Sequence, residues 1–172
     1  MLTNVHVSKL LTQQNLKLSF IEKALPVIKK GYTYNLITQK VINPYGFILQ
    51  ILKNGDIEDL YIATYSMNVK AIEILSSLID EGRIKKLTII LNHNMKFKMK
   101  GKDVVLLRMV EERDNVSLIK KYTHAKVTLI KQGDNYIVIS GSGNYSENPK
   151  IEQYTINNDK ELYEFHKSWM LE

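Results

Sequence analysis

The chain has 172 residues, 44% of them hydrophobic and 24% charged, the proportions of a soluble globular protein long enough to bury a core without staples. It has no cysteine, which excludes disulfides, thiol catalysis and cysteine-ligated metal and fits a reducing compartment. No apolar run approaches the roughly 20 residues that span a bilayer, and the formal net charge of +6 favours a polyanionic partner unless it serves solubility alone.

His6, Lys9, Gln13 and Gln14 interrupt the apolar residues of the N-terminus, so it lacks the continuous apolar centre of a signal peptide and a cytoplasmic protein is expected. Residues 1–31 read as a helical or irregular extension. Ser19 and Glu22 have capping-box spacing there, ahead of Pro26, which would end or kink the helix. Thr33 to Thr38 reads as a strand. Asn43 and Pro44 start a helix in which Phe47, Ile48, Ile51 and Leu52 recur at helical spacing until Asn54-Gly55 stops it.

Asp59 to Ser66 is rich in strand formers. Asn68 can cap a helix with an apolar stripe of Ile72, Leu75, Leu78 and Ile79, ended by Gly82, and Leu87 to Leu91 is the next strand. A strand, helix and strand in that order form a βαβ unit, which implies parallel pairing within a mixed sheet. A further helix is expected over Asp103 to Arg113, with Val104, Leu107 and Val110 on its inner side. Val116 to Tyr122 and Ile151 to Ile156 read as strands, and Asp159 caps a closing helix with Leu162, Phe165 and Trp169 on one face. There is no internal repeat, low-complexity tract or linker, so a single domain over 1–172 is expected.

The chemistry concentrates between residues 124 and 152. Val127 to Ile130 and Tyr136 to Ser140 are apolar runs separated by Gly133-Asp134-Asn135, the pattern of a β-hairpin. A hairpin folds its ends together, here His124-Ala125-Lys126 and Gly141-Ser142-Gly143-Asn144. In a strand His124 and Lys126 would share a face. An imidazole, a fixed cation, a hydroxyl and an amide around one spot suit a phosphate, with the glycines admitting close backbone approach and His124 as nucleophile or proton carrier.

These residues resemble the motif of the phospholipase D superfamily, in which an HxK is followed by an Asp, a GSxN block and a later Glu or Gln. His124, Lys126, Gly141, Ser142, Asn144 and Glu152 match. Counted forward from the histidine the family's Asp falls on Lys131; counted back from the glycine it falls on Asp134, which then stands for the acid that supports structure in the family. The resemblance implies a phospholipase D-like α/β domain, with a mixed, mostly parallel sheet flanked by helices on both faces. The chain carries one copy of the motif, as do short bacterial and phage members that dimerise to bring two histidines into one site. It therefore implies a homodimeric phosphodiesterase using a phosphohistidine, with His124, Lys126, Ser142, Asn144 and Glu152 in the site and neither metal nor cofactor.

Other signals admit two readings. Glu152 either orients the imidazole or is a solvated strand residue. Lys96, Lys98, Lys100 and Lys102 alternate with Phe97, Met99 and Gly101, so they either track a nucleic-acid backbone or form a solvated loop. His93 ends a strand where ligands of open sheets bind, or is structural. Tyr61 and Tyr65 either face a substrate groove or pack. The preferred function is a metal-independent endonuclease, with DNA expected over RNA. The alternative is a weak or inactive nucleic-acid-binding module, motivated by Lys131, which at the Asp position would repel the pocket's own cations. A lipid phosphodiesterase ranks below both, since nothing in the sequence resembles an acyl-binding or membrane-docking surface.

Overall fold

The computed structural model describes residues 11–13, 27–38, 43–93, 102–146 and 150–172. The expected capping box at Ser19 and Glu22, and Lys96, Lys98 and Lys100, lie outside the described residues. The strands are β1 (Leu11–Gln13), β2 (Thr33–Thr38), β3 (Asp59–Thr64), β4 (Leu87–Asn92), β5 (Val116–Lys121), β6 (Val127–Gln132), β7 (Asn135–Gly141) and β8 (Glu152–Asn158). They form one sheet in the order β1-β2-β8-β7-β6-β3-β4-β5. The helices are α1 (Tyr45–Ile51), α2 (Val69–Asp80), α3 (Lys102–Glu111) and α4 (Lys160–Leu171). Leu11–Gln13, expected to be helical or irregular, is a strand parallel to β2.

The sheet is mixed, but not mostly parallel as expected. The parallel pairs are β1·β2, β3·β4 and β4·β5, whereas β6, β7 and β8 run antiparallel to every neighbour. The reason lies in the connections. α2 carries the chain back from the end of β3 to the start of β4, the crossover that parallel strands require, whereas a tight turn after β6 leaves only the antiparallel return.

Each face of the sheet buries its own core. Leu60 and Ile62 of β3, Ile89 of β4 and Ile130 of β6 pack with Ile48 of α1, Ile72 and Leu75 of α2, and Leu106 and Met109 of α3. The alternate residues Tyr61, Ala63, Ile90, Leu129 and Val138 pack beneath α4 against Tyr163 and Met170. Each fully buried aliphatic side chain contributes about 1.5–3 kcal/mol. Tyr61 is therefore a packing residue.

Caps fix the helix limits. The Asn68 side chain accepts from Ala71 N at 2.8 Å and Asp159 from Leu162 N at 3.0 Å, each cap contributing about 1 kcal/mol. After α2, Gly82 turns the chain at φ +71°. The inner faces of α3 and α4 differ from expectation. Val104 and Leu107 are 64% and 42% exposed while Leu106 and Met109 are buried, and Phe165 is 64% exposed while Tyr163 and Met170 are buried. Val110, Leu162 and Trp169 are half-buried.

Candidate phosphate site

The β6–β7 hairpin turns at Gly133-Asp134, where Gly133 has φ +54°, a left-handed angle that glycine adopts without a side-chain penalty. Its register pairs Val127 with Ser140, and one step further Gly141 N donates to Lys126 O at 3.1 Å. His124 to Lys126 precede β6 instead of lying within it, so the strand face expected to align their side chains is absent. They meet all the same, because Lys126 folds back. Its Nζ lies 3.0 Å from His124 Nδ1 and donates to His124 O at 2.9 Å.

The end of β3 clasps both arms of the hairpin. Thr64, its last residue, shares its one hydroxyl proton between Ser66 O at 3.1 Å and Asn144 Oδ1 at 3.4 Å, and the next residue, Tyr65, lays its ring against the His124 imidazole with centroids 5.0 Å apart. The last residue of β3 thus contacts the amide, and the residue just past the strand contacts the imidazole. Beyond Asn144 the chain is pinned by Tyr145, whose buried hydroxyl shares a 2.6 Å hydrogen bond with Thr128 Oγ1 and whose carbonyl accepts from Asn68 N at 2.8 Å.

Both glycines of the Gly-Ser-Gly turn are required by what lies beneath them. A Cβ on Gly143 would fall on the Tyr154 hydroxyl, and one on Gly141 would fall on the Gln153 carbonyl oxygen and 2.6 Å from Tyr154 Cδ1. Ser142 Oγ donates to the buried Glu152 carboxylate and accepts from Gln153 N at 3.0 Å. Burial of Lys126 lowers its pKa below the ordinary value, opposed by the negative charge of Glu152. Glu152 thus acts on Ser142 and on the lysine's charge, and the group against His124 Nδ1 is Lys126 Nζ. The Tyr154 hydroxyl has no hydrogen-bond partner among the described residues, and burial raises its pKa, with Glu152 adding to the shift.

Lys131, at the position expected for the acid, is paired. Its ammonium donates to Glu58, whose other oxygen accepts from Gly133 N at 3.0 Å. Glu58 thus braces the hairpin turn, in which Asp134 sits exposed. Lys131 and Lys126 are separated by roughly 17 Å of strand, beyond the roughly 10 Å over which surface charges interact in salt. The expected repulsion of the site's cations by Lys131 does not arise.

His93 and Tyr122 follow the last residues of β4 and β5, which pair Asn92 with Lys121. Their rings touch at a tilt, with centroids 4.9 Å and planes 43° apart. Asn92 Nδ2 donates to Thr123 O, tying this edge to the segment that carries His124. Lys102 opens α3, so the expected run of extended lysines ends there. On the opposite face His166 Nδ1 accepts from Trp169 Nε1 at 3.1 Å, and burial lowers its pKa; it is structural. Thr64, Tyr154 and Glu58 carry no motif that marks them for these roles, whereas Tyr65, expected either to face a groove or to pack, lies against the His124 ring. Only Tyr154 carried a local signal, two residues beyond Glu152.

No protein-family model matches the chain, and no curated protein matches it. Among solved structures it is similar to polyphosphate kinase from Porphyromonas gingivalis, with 16% identity and a TM-score of 0.64 over 94% of this chain and 29% of that one. It is also similar to phosphatidylserine synthase from Haemophilus influenzae Rd KW20, with 12% identity and a TM-score of 0.52 over 81% of this chain and 38% of that one. Both neighbours have phospholipase D-like folds, and the chain shares that fold. It spans well under two thirds of either neighbour.

Proposed function

We propose that the chain is a phosphodiesterase of the phospholipase D type, an endonuclease that acts on DNA without a metal and completes its site as a homodimer. The observation that carries this reading is the clasp at the end of β3, which holds the amide of Asn144 and the imidazole of His124 on neighbouring residues with Lys126 against the ring. Lys126 and Asn144 supply the preplaced donors that stabilise charge building on nonbridging oxygens. The net charge of +6 suits a polyanionic substrate.

His124 Nε2 of one subunit attacks phosphorus, forming an N–P bond as the P–O bond to the leaving group breaks. His124 of the partner subunit gives that oxygen its proton, then takes one from the water that releases the phosphate and breaks the N–P bond. The nucleophilic ring must carry its proton on Nδ1. An ammonium only donates, so charged Lys126 resting on Nδ1 leaves the proton of a neutral ring on Nε2, where it blocks attack; the ring that protonates the leaving oxygen is the imidazolium, with both nitrogens protonated. A bound phosphate offers Lys126 stronger acceptors, and its move onto them frees Nδ1.

The second reading, binding without turnover, is favoured by that same Lys126 contact, since an ammonium that stayed on Nδ1 would leave no nucleophile. The deciding experiment is incubation with plasmid and single-stranded DNA in EDTA, beside His124→Ala, with the oligomeric state measured by light scattering. We expect cleavage by a dimer, abolished in His124→Ala while the circular dichroism spectrum is kept. A fully active His124→Ala protein overturns the mechanism; salt-dependent binding with no cleavage establishes the second reading.

A further inference from the structure

We propose that the paired rings of His93 and Tyr122 form a stacking platform for an unpaired base next to the phosphate held at His124, so that the preferred substrate is a single strand. This rests on the nucleic-acid reading of the same site. Tyr122 is 79% exposed, and its ring meets another ring instead of the core: His93, with centroids 4.9 Å apart and planes 43° apart. Neither residue has a place in the phosphodiesterase chemistry.

Register places the pair. β4 and β5 run in parallel with Asn92 opposite Lys121, so His93 and Tyr122 are the next residues on both strands and emerge side by side. Tyr122 is two residues from His124, about 7 Å at full extension. A nucleotide whose phosphate rests on Lys126 therefore brings a neighbouring base over Tyr122. Lys120, exposed on β5, extends the positive charge towards the same edge.

The chemistry of the patch selects among polyanions. A base stacked on an aromatic side chain gains affinity largely irrespective of its identity, because every base has a π-face. In a duplex those faces are covered by neighbouring base pairs, inorganic polyphosphate has none, and two rings are too small a surface for an acyl chain. An unpaired nucleotide uses both the cation and the rings.

The test is fluorescence anisotropy at fixed salt with three labelled probes: a short oligothymidylate, the same backbone with every base removed, and a blunt duplex of equal length. Tyr122→Ala should raise the Kd for oligothymidylate about tenfold and leave the abasic strand and the duplex unchanged. Tyr122→Phe, which keeps the ring, should bind as the wild type does. The proposal is overturned if Tyr122→Ala binds oligothymidylate as tightly as the wild type, if it loses the abasic strand or the duplex to the same extent, or if the wild type binds no probe. Cleavage of the same oligothymidylate by His124→Ala reports separately on the nuclease reading. Persistent cleavage would sink the histidine mechanism without touching a base-dependent Kd, and a Kd indifferent to the base would sink the platform without touching cleavage.

Discussion

Placing a methyl group on Gly143 probes the floor of the site directly. Its Cβ would occupy the position of the Tyr154 hydroxyl, with Tyr154 Cζ 2.8 Å away, so either the ring or the turn must move. Overpacking of this kind costs about 1–3 kcal/mol. For a chain of this size each kcal/mol lowers the melting temperature by about 2–4 °C, so Gly143→Ala should melt about 2–12 °C below the wild type. Tyr154→Phe removes the nearest atom, and with it a buried hydroxyl that lacks a partner among the described residues, so adding it should recover part of the loss, the remainder coming from Tyr154 Cζ at 2.8 Å. Gly141→Ala is the control. Its obstacle is the Gln153 carbonyl oxygen, which also accepts from Ser142 N at 3.0 Å, and no side-chain truncation removes a backbone atom. Tyr154→Phe should leave Gly141→Ala low. Thermal melts followed by circular dichroism compare the variants. Melting of Gly143→Ala within about a degree of the wild type, or equal rescue at both glycines, would refute the packing described here.

Two further outcomes follow from the pairing and burial of other residues. Leu106→Ala should cost about 2–5 kcal/mol in urea unfolding, while its exposed neighbour Leu107→Ala should stay within about 0.5 kcal/mol of the wild type; the reverse order would mean that α3 is rotated. Glu58 is held below its ordinary pKa of 4.5, first by the Lys131 hydrogen bond and then by Gly133 N. A carboxylate depressed on folding stabilises above its unfolded pKa and loses that contribution as pH falls through the folded value. The difference in melting temperature between the wild type and Glu58→Gln should therefore be full above about pH 4.5 and close as the solution is acidified. A difference that persists unchanged to the acid limit would contradict the pairing.

Local chemistry was legible in the sequence, and phase was not. The caps at Asn68 and Asp159, the Gly82 exit and the turn before Tyr136 announce themselves because each acts within a few residues of its own position. In α3, Val104, Val105, Leu106, Leu107, Met109 and Val110 are apolar almost all round, so periodicity admits several inner faces, and the choice falls to α2 and β5, against which the helix packs. The same crowding in α4 made Phe165 look internal. Strand direction was half legible: the βαβ unit gave the parallel pairing of β3 with β4, but β8 returning beside β2 depends on a partner far away in sequence. Such distance also hid Glu58, whose pairing with Lys131 spans 73 residues. The hairpin itself was readable, and His124 and Lys126 do meet, although the lysine arrives by folding back onto the histidine and not by strand alternation.

The place of β8 between β2 and β7 governs when the protein can become itself during synthesis. Thr33 donates to Asn157 Oδ1 across 124 residues, and at ribosomal speeds that interval is roughly 6 to 25 s. Throughout it β2 waits without its antiparallel neighbour, an open edge of the sort that chaperones cover. Glu152 and Tyr154 arrive on the same late strand, so the floor under the Gly-Ser-Gly turn is laid in the event that closes the sheet. A nascent chain is thereby unable to finish the Gly-Ser-Gly turn before its architecture is complete.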